Sequence, residues 1–216
     1  MRRPVAAPAP AAKLPAAIVV LAARGMRRKY RKGTIVVQEG DSGDALFIVL
    51  AGRFKIYSVD PGGKEITYNV LGPGEYFGEM ALDGGIRSAS AITLEAAECV
   101  MVTSDVLRAY SREDPDFAYS MLLTVIRRAR EATAIARGLA LGDVYTRLVA
   151  YLKKTSRATE NEVRVVEPRL THLELASRIG ASREMVSRIL KDLERGGYIE
   201  VVGKRLSILK NLPAHW

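Results

Sequence analysis

Short apolar runs, separated by turn residues every eight to twelve positions, occupy the chain from Thr34 to about Val102. The runs are TIVVQ, ALFIVL, FKIYSV, EITYNVL, SASAIT and CVMVT, and the turn signals include EGDSGD and DPGGK. Runs with this composition and spacing are typical of an antiparallel sandwich or barrel. The Asp60-Pro61-Gly62-Gly63 stretch suits a hairpin turn, because Pro presets φ and Gly tolerates positive φ.

After Ser111 the apolar residues recur at alternating spacings of four and three, which indicates a helix with one continuous apolar seam. We expect this seam, on a helix over residues 112–137, to pair with a second copy of the chain. The alternative is a single amphipathic helix that packs within its own chain. Met121, Leu123 and Ile126 lie off the seam and are expected to pack against the β domain. The seam residues are Ala118, Leu122, Val125, Ala129, Ala132, Ala136 and Leu139.

Gly138 and Gly142 are expected to interrupt the helix, which makes residues 138–142 a predicted hinge. Asp143 is well placed to cap a new helix that runs to about Lys154.

Two further helices are predicted after residue 170. Thr171 and Glu174 form a capping-box pattern, Gly180 ends the first helix, and Ser182 caps the second. This arrangement predicts a helix-turn-helix; the alternative is an ordinary pair of packed helices with solvated charges. The second helix has a predicted buried face, and its exposed early residues stand where a recognition helix meets base edges in a major groove. The buried face comprises Val186, Ile189, Leu190 and Leu193, and the exposed residues are Arg183, Glu184 and Arg188.

Charge is distributed unevenly along the 216 residues, whose formal net charge is +9. Residues 1–33 carry +9, residues 34–120 carry −8 and residues 121–216 carry +8. This split suggests that an acidic module binds a small ligand and a basic module binds nucleic acid. The alternative is a basic surface that serves only solubility.

Composition excludes several classes of protein. One cysteine and two histidines cannot form an internal disulfide, a structural zinc site or an iron–sulfur cluster on four cysteines. No apolar run approaches the length of a bilayer span. We therefore expect a soluble, cytoplasmic protein with no metal and no membrane partner. Its first 25 residues are rich in Pro and Ala and are expected to form a flexible tail, with a short helix over residues 17–25.

The segment from Tyr76 to Ser90 has the features of an anion-binding loop. Gly78 allows a close backbone approach, residues 79–82 can form one helical turn, and Arg87 can pair with the anion. Glu79 suits such a site only if the ligand also offers hydroxyl donors, as a ribose does. The alternative is an ordinary turn with an exposed arginine.

FGEMAL followed by Arg87-Ser88-Ala89 resembles the phosphate-binding cassette of the cyclic-nucleotide-binding domain. The resemblance implies that Gly78 and the helical turn, with Met80 and Ala81, contact the cyclic phosphate or the ribose. It also implies that Glu79 accepts from the ribose 2′-OH and that Arg87 and Ser88 bind the phosphate. Ile86 stands where many members have Pro, which leaves the loop less stiff but removes no ligand group.

From about residue 26 to residue 212 the chain resembles the CRP/FNR transcription factors, the family of the cyclic-AMP receptor or catabolite activator. The implied fold is α+β: a cyclic-nucleotide-binding β-roll or jelly roll (26–111), a dimerisation helix, and a winged helix-turn-helix domain (143–216). In this family's manner, Arg183 and Arg188 would read guanines and Glu184 would accept from cytosine. Phosphate contacts are implied for Thr171, Ser182 and either Lys204 or Arg205 of the wing. The implied DNA site is a TGTGA palindrome.

The effector implied by the resemblance is a cyclic nucleotide, most simply cyclic AMP. Two adjacent polar residues of the dimerisation helix contact the base in cyclic-AMP receptors, and Ala132 and Thr133 stand at those positions, so Thr133 alone is a candidate contact. Cyclic di-GMP and cyclic GMP remain alternatives, as does a ligand-independent regulator with a decayed pocket. A haem sensor needs a histidine in the sensor domain, whereas His172 and His215 are both C-terminal.

The partners implied are double-stranded DNA, a second copy of the chain, and RNA polymerase. A basic segment is a candidate contact for flanking DNA or for the polymerase, with a solvated entry segment as the alternative. An enzyme is disfavoured because no histidine or metal-ligand cluster accompanies Glu79 and Arg87, and no Ser or Cys stands beside a plausible base. The basic segment comprises Arg27, Arg28, Lys29, Arg31 and Lys32.

Overall fold

The structure is a computed structural model that describes residues 14–159, 163–167, 170–203 and 205–213. The chain divides into two compact units. The first holds the described residues through Ser58 together with Tyr68–Val125, and the second holds Val59–Thr67 and the described residues from Ile126 onward. Each unit is described by itself below.

Two four-stranded sheets form the sheet domain, with strand orders β1-β8-β3-β6 and β2-β7-β4-β5. β3 pairs antiparallel with both β8 and β6, and β7 pairs antiparallel with both β2 and β4. The elements in chain order are α1 (Ala16–Ala22), β1 (Met26–Tyr30), β2 (Ile35–Val37), β3 (Ala45–Ala51), β4 (Phe54–Val59), β5 (Glu65–Leu71), β6 (Tyr76–Phe77), a 3₁₀ helix (Glu79–Ala81), β7 (Ser90–Thr93), β8 (Ala97–Thr103) and α2 (Ser104–Glu113).

β3 lies between two apolar clusters, which explains its uninterrupted apolar sequence. Phe47 and Val49 pack into a cluster that draws on both sheets. Leu46 and Ile48 pack on the other side with residues of α1 and α2. Successive side chains of a strand point to opposite faces, so a strand covered on both sides is apolar at every position. The predicted sheet domain is confirmed, including the hairpin turn, in which Gly63 N–H donates to the Asp60 carbonyl at 2.9 Å.

Two elements of this region are not predicted by the pattern of apolar residues. β1 has the sequence MRRKY, and four of its five residues are exposed. It forms because it pairs antiparallel with β8 along its whole length, and Arg27 adds an ion pair to Glu98 at 3.4 Å. α2 begins at Ser104, ahead of the helix expected after Ser111, and buries Leu107 and Tyr110 on one face.

The long helix α3 runs from Pro115 to Leu141. It continues through Gly138, so the predicted interruption at that residue is wrong. One helical glycine costs only about 1 kcal/mol relative to alanine, which the surrounding turns offset. The helix α4 (Val144–Thr155) follows, and its predicted cap is confirmed because the Asp143 carboxylate accepts from Thr146 N–H at 2.7 Å.

Apolar residues of α3 are exposed both on and off the predicted seam. Leu122 is 52% exposed and Val125 is 42% exposed. Of the three off-seam residues, Met121 packs against the core of the first unit as expected. Leu123 and Ile126 do not follow the expectation, because they remain 49% and 37% exposed.

The C-terminal part of the chain is a winged helix-turn-helix, as predicted. Its sheet has the order β11-β12-β10-β9, and its helices share one apolar core with that sheet. No helix in the described part of the chain is long and apolar enough to cross a membrane. The elements are β9 (Arg157–Ala158), β10 (Arg164–Val166), α5 (His172–Ile179), α6 (Arg183–Arg195), β11 (Ile199–Val202) and β12 (Arg205–Ile208).

Candidate functional site

The loop between β6 and β7 begins with a tight backbone approach at Gly78. This residue has φ 89° and precedes the 3₁₀ helix. A Cβ atom there would lie 2.8 Å from both the Ala45 carbonyl oxygen and Arg87 Nη1. Only glycine combines this backbone conformation with this packing. The close approach seen at Gly78 is made by the arginine side chain, and the approach of an anion to this backbone stays a prediction.

The Arg87 side chain is buried, with 7% of its surface exposed. Its Nη1 donates to the carbonyl oxygens of Ala45 at 3.0 Å and Gly78 at 2.9 Å. The guanidinium also lies 5.6 Å from the centre of the Phe47 ring. Its backbone N–H donates to the Asp41 carbonyl at 2.8 Å. Arg87 is thus fixed at both its backbone and its side chain.

The electrostatic setting of Arg87 favours an added anion. Burial lowers the pKa of the Arg87 guanidinium, whereas the charges of Asp44 and Glu79 raise that pKa. Within the described residues no carboxylate oxygen lies at ion-pair distance from Arg87. Arginine stays protonated in proteins. The acceptors of this buried positive charge in the described part of the chain are backbone carbonyl oxygens. A phosphate that reaches it would form a charge-assisted hydrogen bond.

The other residues of the loop that were predicted to contact the ligand differ in their exposure to solvent. Ala81 is fully buried, whereas Met80 is 62% exposed. Ser88 is exposed, and its hydroxyl lies 3.5 Å from Met80 Sδ. Glu79 begins the 3₁₀ helix, which is the single helical turn that the sequence predicts. The structure therefore brings Gly78 into contact with Arg87 and Met80 into contact with Ser88.

Thr133 belongs to the second unit, on α3. Its hydroxyl donates to the Ala129 carbonyl at 2.9 Å, one turn earlier in the helix. The residue is exposed. It lines an open groove along α3 with Ile126, Ala129, Arg130, Ala134 and Arg137.

The caps of the helix-turn-helix form as the sequence predicts. Thr171 accepts from Glu174 N–H at 3.2 Å, and the Glu174 carboxylate accepts from Thr171 N–H at 2.8 Å. Gly180 ends α5 in the left-handed conformation, with φ 63°. Ser182 caps α6 by accepting from Met185 N–H at 3.2 Å. These caps fix where α6 begins, and therefore which residues its exposed face presents.

That exposed face carries the predicted base-reading side chains. Arg183, Glu184 and Arg188 are exposed, whereas the predicted apolar face of α6 is buried in the core of the unit. Arg205 is exposed at the start of β12, and Lys204 lies outside the described residues. An α helix with two exposed arginines near its first turns suits a major groove, where arginine pairs with guanine.

Some residues around these sites were not found from the sequence. Gly43 and Phe47 enclose Arg87, and a Cβ at Gly43 would lie 2.6 Å from Arg87 Nε. Both are some forty positions away in sequence, so no local motif links them to the arginine. His172 Nδ1 lies 2.6 Å from the Ser187 hydroxyl and joins α5 to α6, which spacing alone does not reveal.

Comparison with known proteins assigns both parts of the chain. Residues 27–114 match the family profile of the cyclic nucleotide-binding domain, and residues 146–214 match that of the Crp-like helix-turn-helix domain. The two matches therefore cover both the Arg87 loop and the capped helix pair.

Full-length relatives agree. A CRP-like cAMP-activated global transcriptional regulator of Mycobacterium tuberculosis is 31% identical, over 90% of this chain and 88% of its own. The cyclic AMP receptor protein of Thermus thermophilus is 35% identical, over 81% of this chain and 80% of its own. The solved structure of CLP, a c-di-GMP responsive global regulator of Xanthomonas campestris, superposes with a TM-score of 0.78 at 27% identity, over 90% of this chain and 99% of that one. These relatives are transcription regulators and not enzymes, and the chain belongs to the CRP/FNR family of cyclic-nucleotide-responsive transcription regulators.

Proposed function

We propose that the chain is a homodimeric regulator that binds cyclic AMP at the Arg87 loop and, when loaded, a TGTGA-type palindrome at α6. The observation that carries this proposal is the buried Arg87 guanidinium, which has carbonyl acceptors but no carboxylate ion pair among the described residues. Such a charge stabilises a bound phosphate more strongly than an exposed arginine does.

Charge favours a cyclic mononucleotide over a cyclic dinucleotide. Arg87 is one cation in a region of net charge −8, and Asp44 and Glu79 both act on it. A cyclic mononucleotide brings one negative charge, whereas cyclic di-GMP brings two and needs a second cation. Glu79 supplies an acceptor for a ribose hydroxyl. The cAMP-activated relatives support the same choice, and the Xanthomonas regulator supports cyclic di-GMP as the second candidate.

The apolar surface of α3 supports a dimer. Tyr119, Leu122 and Val125 expose large apolar surfaces that a second copy of the helix would bury. Further along, Ala129, Ala132 and Ala136 are small, so two helices can approach closely there. The isologous contact of two copies then presents two α6 helices to one palindromic DNA site.

DNA recognition follows from the exposed face of α6. Arg183 and Arg188 are proposed to donate to guanine O6 and N7, and Glu184 to accept from cytosine N4. Thr171 and Ser182 stand at the N-terminal ends of α5 and α6, where phosphates are held by helix N–H groups. Lys204 of the wing is proposed as a further backbone contact.

Gating requires that cyclic AMP bind one dimer arrangement more tightly than another. A nucleotide with equal affinity for both arrangements would leave their relative populations unchanged. The proposed switch is therefore a change in the packing of α3 against its copy, which alters the spacing of the two α6 helices.

Calorimetric titration of the full chain tests the effector assignment. We expect cyclic AMP to bind with one site per chain, and to bind at least 100-fold more weakly to the Arg87→Gln variant. Arg53→Gln is the matched control, because Arg53 is exposed in the same domain and pairs with Glu95. If the chain binds cyclic di-GMP with higher affinity than cyclic AMP, cyclic di-GMP replaces cyclic AMP as the proposed effector. Unchanged binding by Arg87→Gln would refute the proposed site.

A further inference from the structure

Arg147, in the first turn of α4, joins the ends of two other helices. Its Nη1 donates to the Gly142 carbonyl oxygen and, at 3.4 Å, to that of Gly138. Its Nε donates to the Ile179 carbonyl oxygen at 2.8 Å, and its Nη2 to that of Gly180 at 3.5 Å. All five residues belong to the second unit. One guanidinium therefore serves four backbone acceptors from two separate stretches of chain.

These acceptors share a physical character. Gly138 and Gly142 lie at the C-terminal end of α3, and Ile179 and Gly180 lie at the C-terminal end of α5. The last carbonyl groups of a helix carry the negative end of its dipole and lack N–H partners within that helix. Of the four acceptors, Gly138 also accepts from Gly142 N–H at 3.0 Å. Two such ends that converge on one point need a cation with several donors, and arginine has five N–H groups in a fixed planar arrangement.

A second contact joins the C-terminal end of α3 to that of α5. Leu139 of α3 lies against Gly180, where a Cβ atom would come within 2.7 Å of Leu139 Cδ2. Gly180 also has φ 63°, so both its backbone and its packing exclude a side chain. Only Ala181 and Ser182 separate this glycine from the start of α6. The end of α3 therefore contacts the chain immediately before the residue pair that precedes the recognition helix.

We infer that Arg147 is the positioning residue that couples α3 to the recognition helix α6. This inference rests on the proposed function and adds to it the route by which nucleotide binding reaches DNA binding. Arg147 contacts neither nucleotide nor DNA in this scheme, and it acts through the carbonyl groups of Gly142 and Ile179. Its loss is expected to uncouple the two sites rather than to disable either one.

The test measures coupling as the ratio of DNA dissociation constants without and with saturating cyclic AMP. We expect Arg147→Met to reduce that ratio at least tenfold from the wild-type value, toward 1. Nucleotide affinity in the absence of DNA should stay within threefold of the wild type. Coupling is reciprocal in binding equilibria, so the gain in nucleotide affinity caused by DNA must fall by the same factor. Arg147→Lys keeps the charge but not the planar set of donors and is expected to restore little of the ratio.

Arg164→Met is the matched control for a purely structural loss. Arg164 lies in the same unit and donates to the carbonyl oxygens of Lys153 and Ser156 and to the Ser156 hydroxyl, all at the end of α4. Its removal should lower thermal stability and leave the ratio unchanged. A wild-type ratio in both Arg147 variants would overturn the inference and leave the proposed function standing. A wild-type chain with a ratio of 1 for cyclic AMP, cyclic GMP and cyclic di-GMP would overturn both.

Discussion

Arg87 Nη1 donates a hydrogen bond of 2.9 Å to the carbonyl oxygen of Gly78, nine positions earlier in the chain. The two residues lie near opposite ends of the loop between β6 and β7, and this hydrogen bond brings them into direct contact. Because a side chain on Gly78 would occupy the space of the guanidinium, the glycine and the arginine form one structural unit of the proposed nucleotide site. The loop therefore holds the positive charge in place before any ligand arrives, which reduces the entropy lost on binding.

Replacement of Gly78 by alanine tests this unit. Gly78→Ala should destabilise the chain by about 1–3 kcal/mol, because it adds backbone strain at positive φ and a clash with Arg87. It should also weaken cyclic AMP binding at least tenfold. Gly84→Ala is the matched control, since Gly84 has φ 88° but no atom lies within 4 Å of the place that a Cβ would occupy there. Equal loss of nucleotide affinity in both variants, measured by calorimetry, would mean that strain alone is responsible.

Arg188 is expected to read a guanine rather than a phosphate. Arg188→Ala should weaken binding to a TGTGA/TCACA duplex by about 1–3 kcal/mol, which is roughly 5- to 150-fold, and should relax specificity at one G·C pair. Arg195→Ala, at the last turn of α6, removes the same charge away from the predicted base-reading residues. Competition by duplexes with single base changes at fixed salt measures the effect. A uniform loss across all duplexes would identify Arg188 as a phosphate contact.

The cap at Thr171 should contribute to the stability of the helix-turn-helix. Thr171→Ala removes a hydroxyl that accepts from Glu174 N–H, and it is expected to cost about 1 kcal/mol. Thr155→Ala is the comparison, because the Thr155 hydroxyl donates within α4 to the Tyr151 carbonyl and caps no N-terminus. Thermal denaturation followed by circular dichroism resolves the difference. An equal loss in the two variants would contradict the capping role.

Cys99 should make stability depend on alkaline pH. Burial raises the pKa of the Cys99 thiol to about 11, with the Tyr30 hydroxyl partly opposing the shift. The folded state therefore holds this proton more tightly than the unfolded state, whose thiol has a pKa near the ordinary value of about 8.5. The resulting stability is fully present below pH ~8.5 and is lost as pH rises toward 11.

The Cys99→Ala variant isolates this contribution. Its free energy of unfolding should fall less steeply between pH 8.5 and 11 than that of the wild type, by an amount on the order of 1–3 kcal/mol. Urea denaturation at several pH values measures the difference. The folded thiol should also resist alkylation at pH 8, because the reactive species is the thiolate. Identical pH slopes in the two proteins would show that Cys99 does not titrate in this way.

Much of the fold could be predicted because local pattern and tertiary packing agree. The caps at Asp143, Thr171 and Ser182 are properties of a few adjacent residues, and each forms as expected. β1 could not be predicted, because its stability comes from pairing with β8, some seventy positions away, rather than from apolar side chains. The helix through Gly138 was missed because the cost of one glycine is small beside the gain from the surrounding turns.

The candidate sites also contain some residues that the sequence predicts and others that only the folded chain brings together. Gly78, Glu79 and Arg87 occur in one short motif, so their common loop was predictable from the sequence. The enclosure of Arg87 by Gly43 and Phe47 depends on a β3 strand that only the folded chain brings near. Arg147 carries no signal at all in the sequence, since an arginine in the first turn of a helix is usually solvated. Its four carbonyl acceptors exist only after α3 and α5 have ended where they do.

The most direct test of the proposed switch is fluorescence anisotropy on a labelled TGTGA/TCACA duplex, titrated with the full chain at fixed salt. Salt is fixed because phosphate contacts dominate such affinities. The titration is repeated with saturating cyclic AMP, cyclic GMP or cyclic di-GMP. We predict that cyclic AMP tightens DNA binding at least tenfold and that the other two nucleotides have little effect. Tight binding without any nucleotide, weakened by cyclic di-GMP, would contradict both the proposed effector and the direction of the switch.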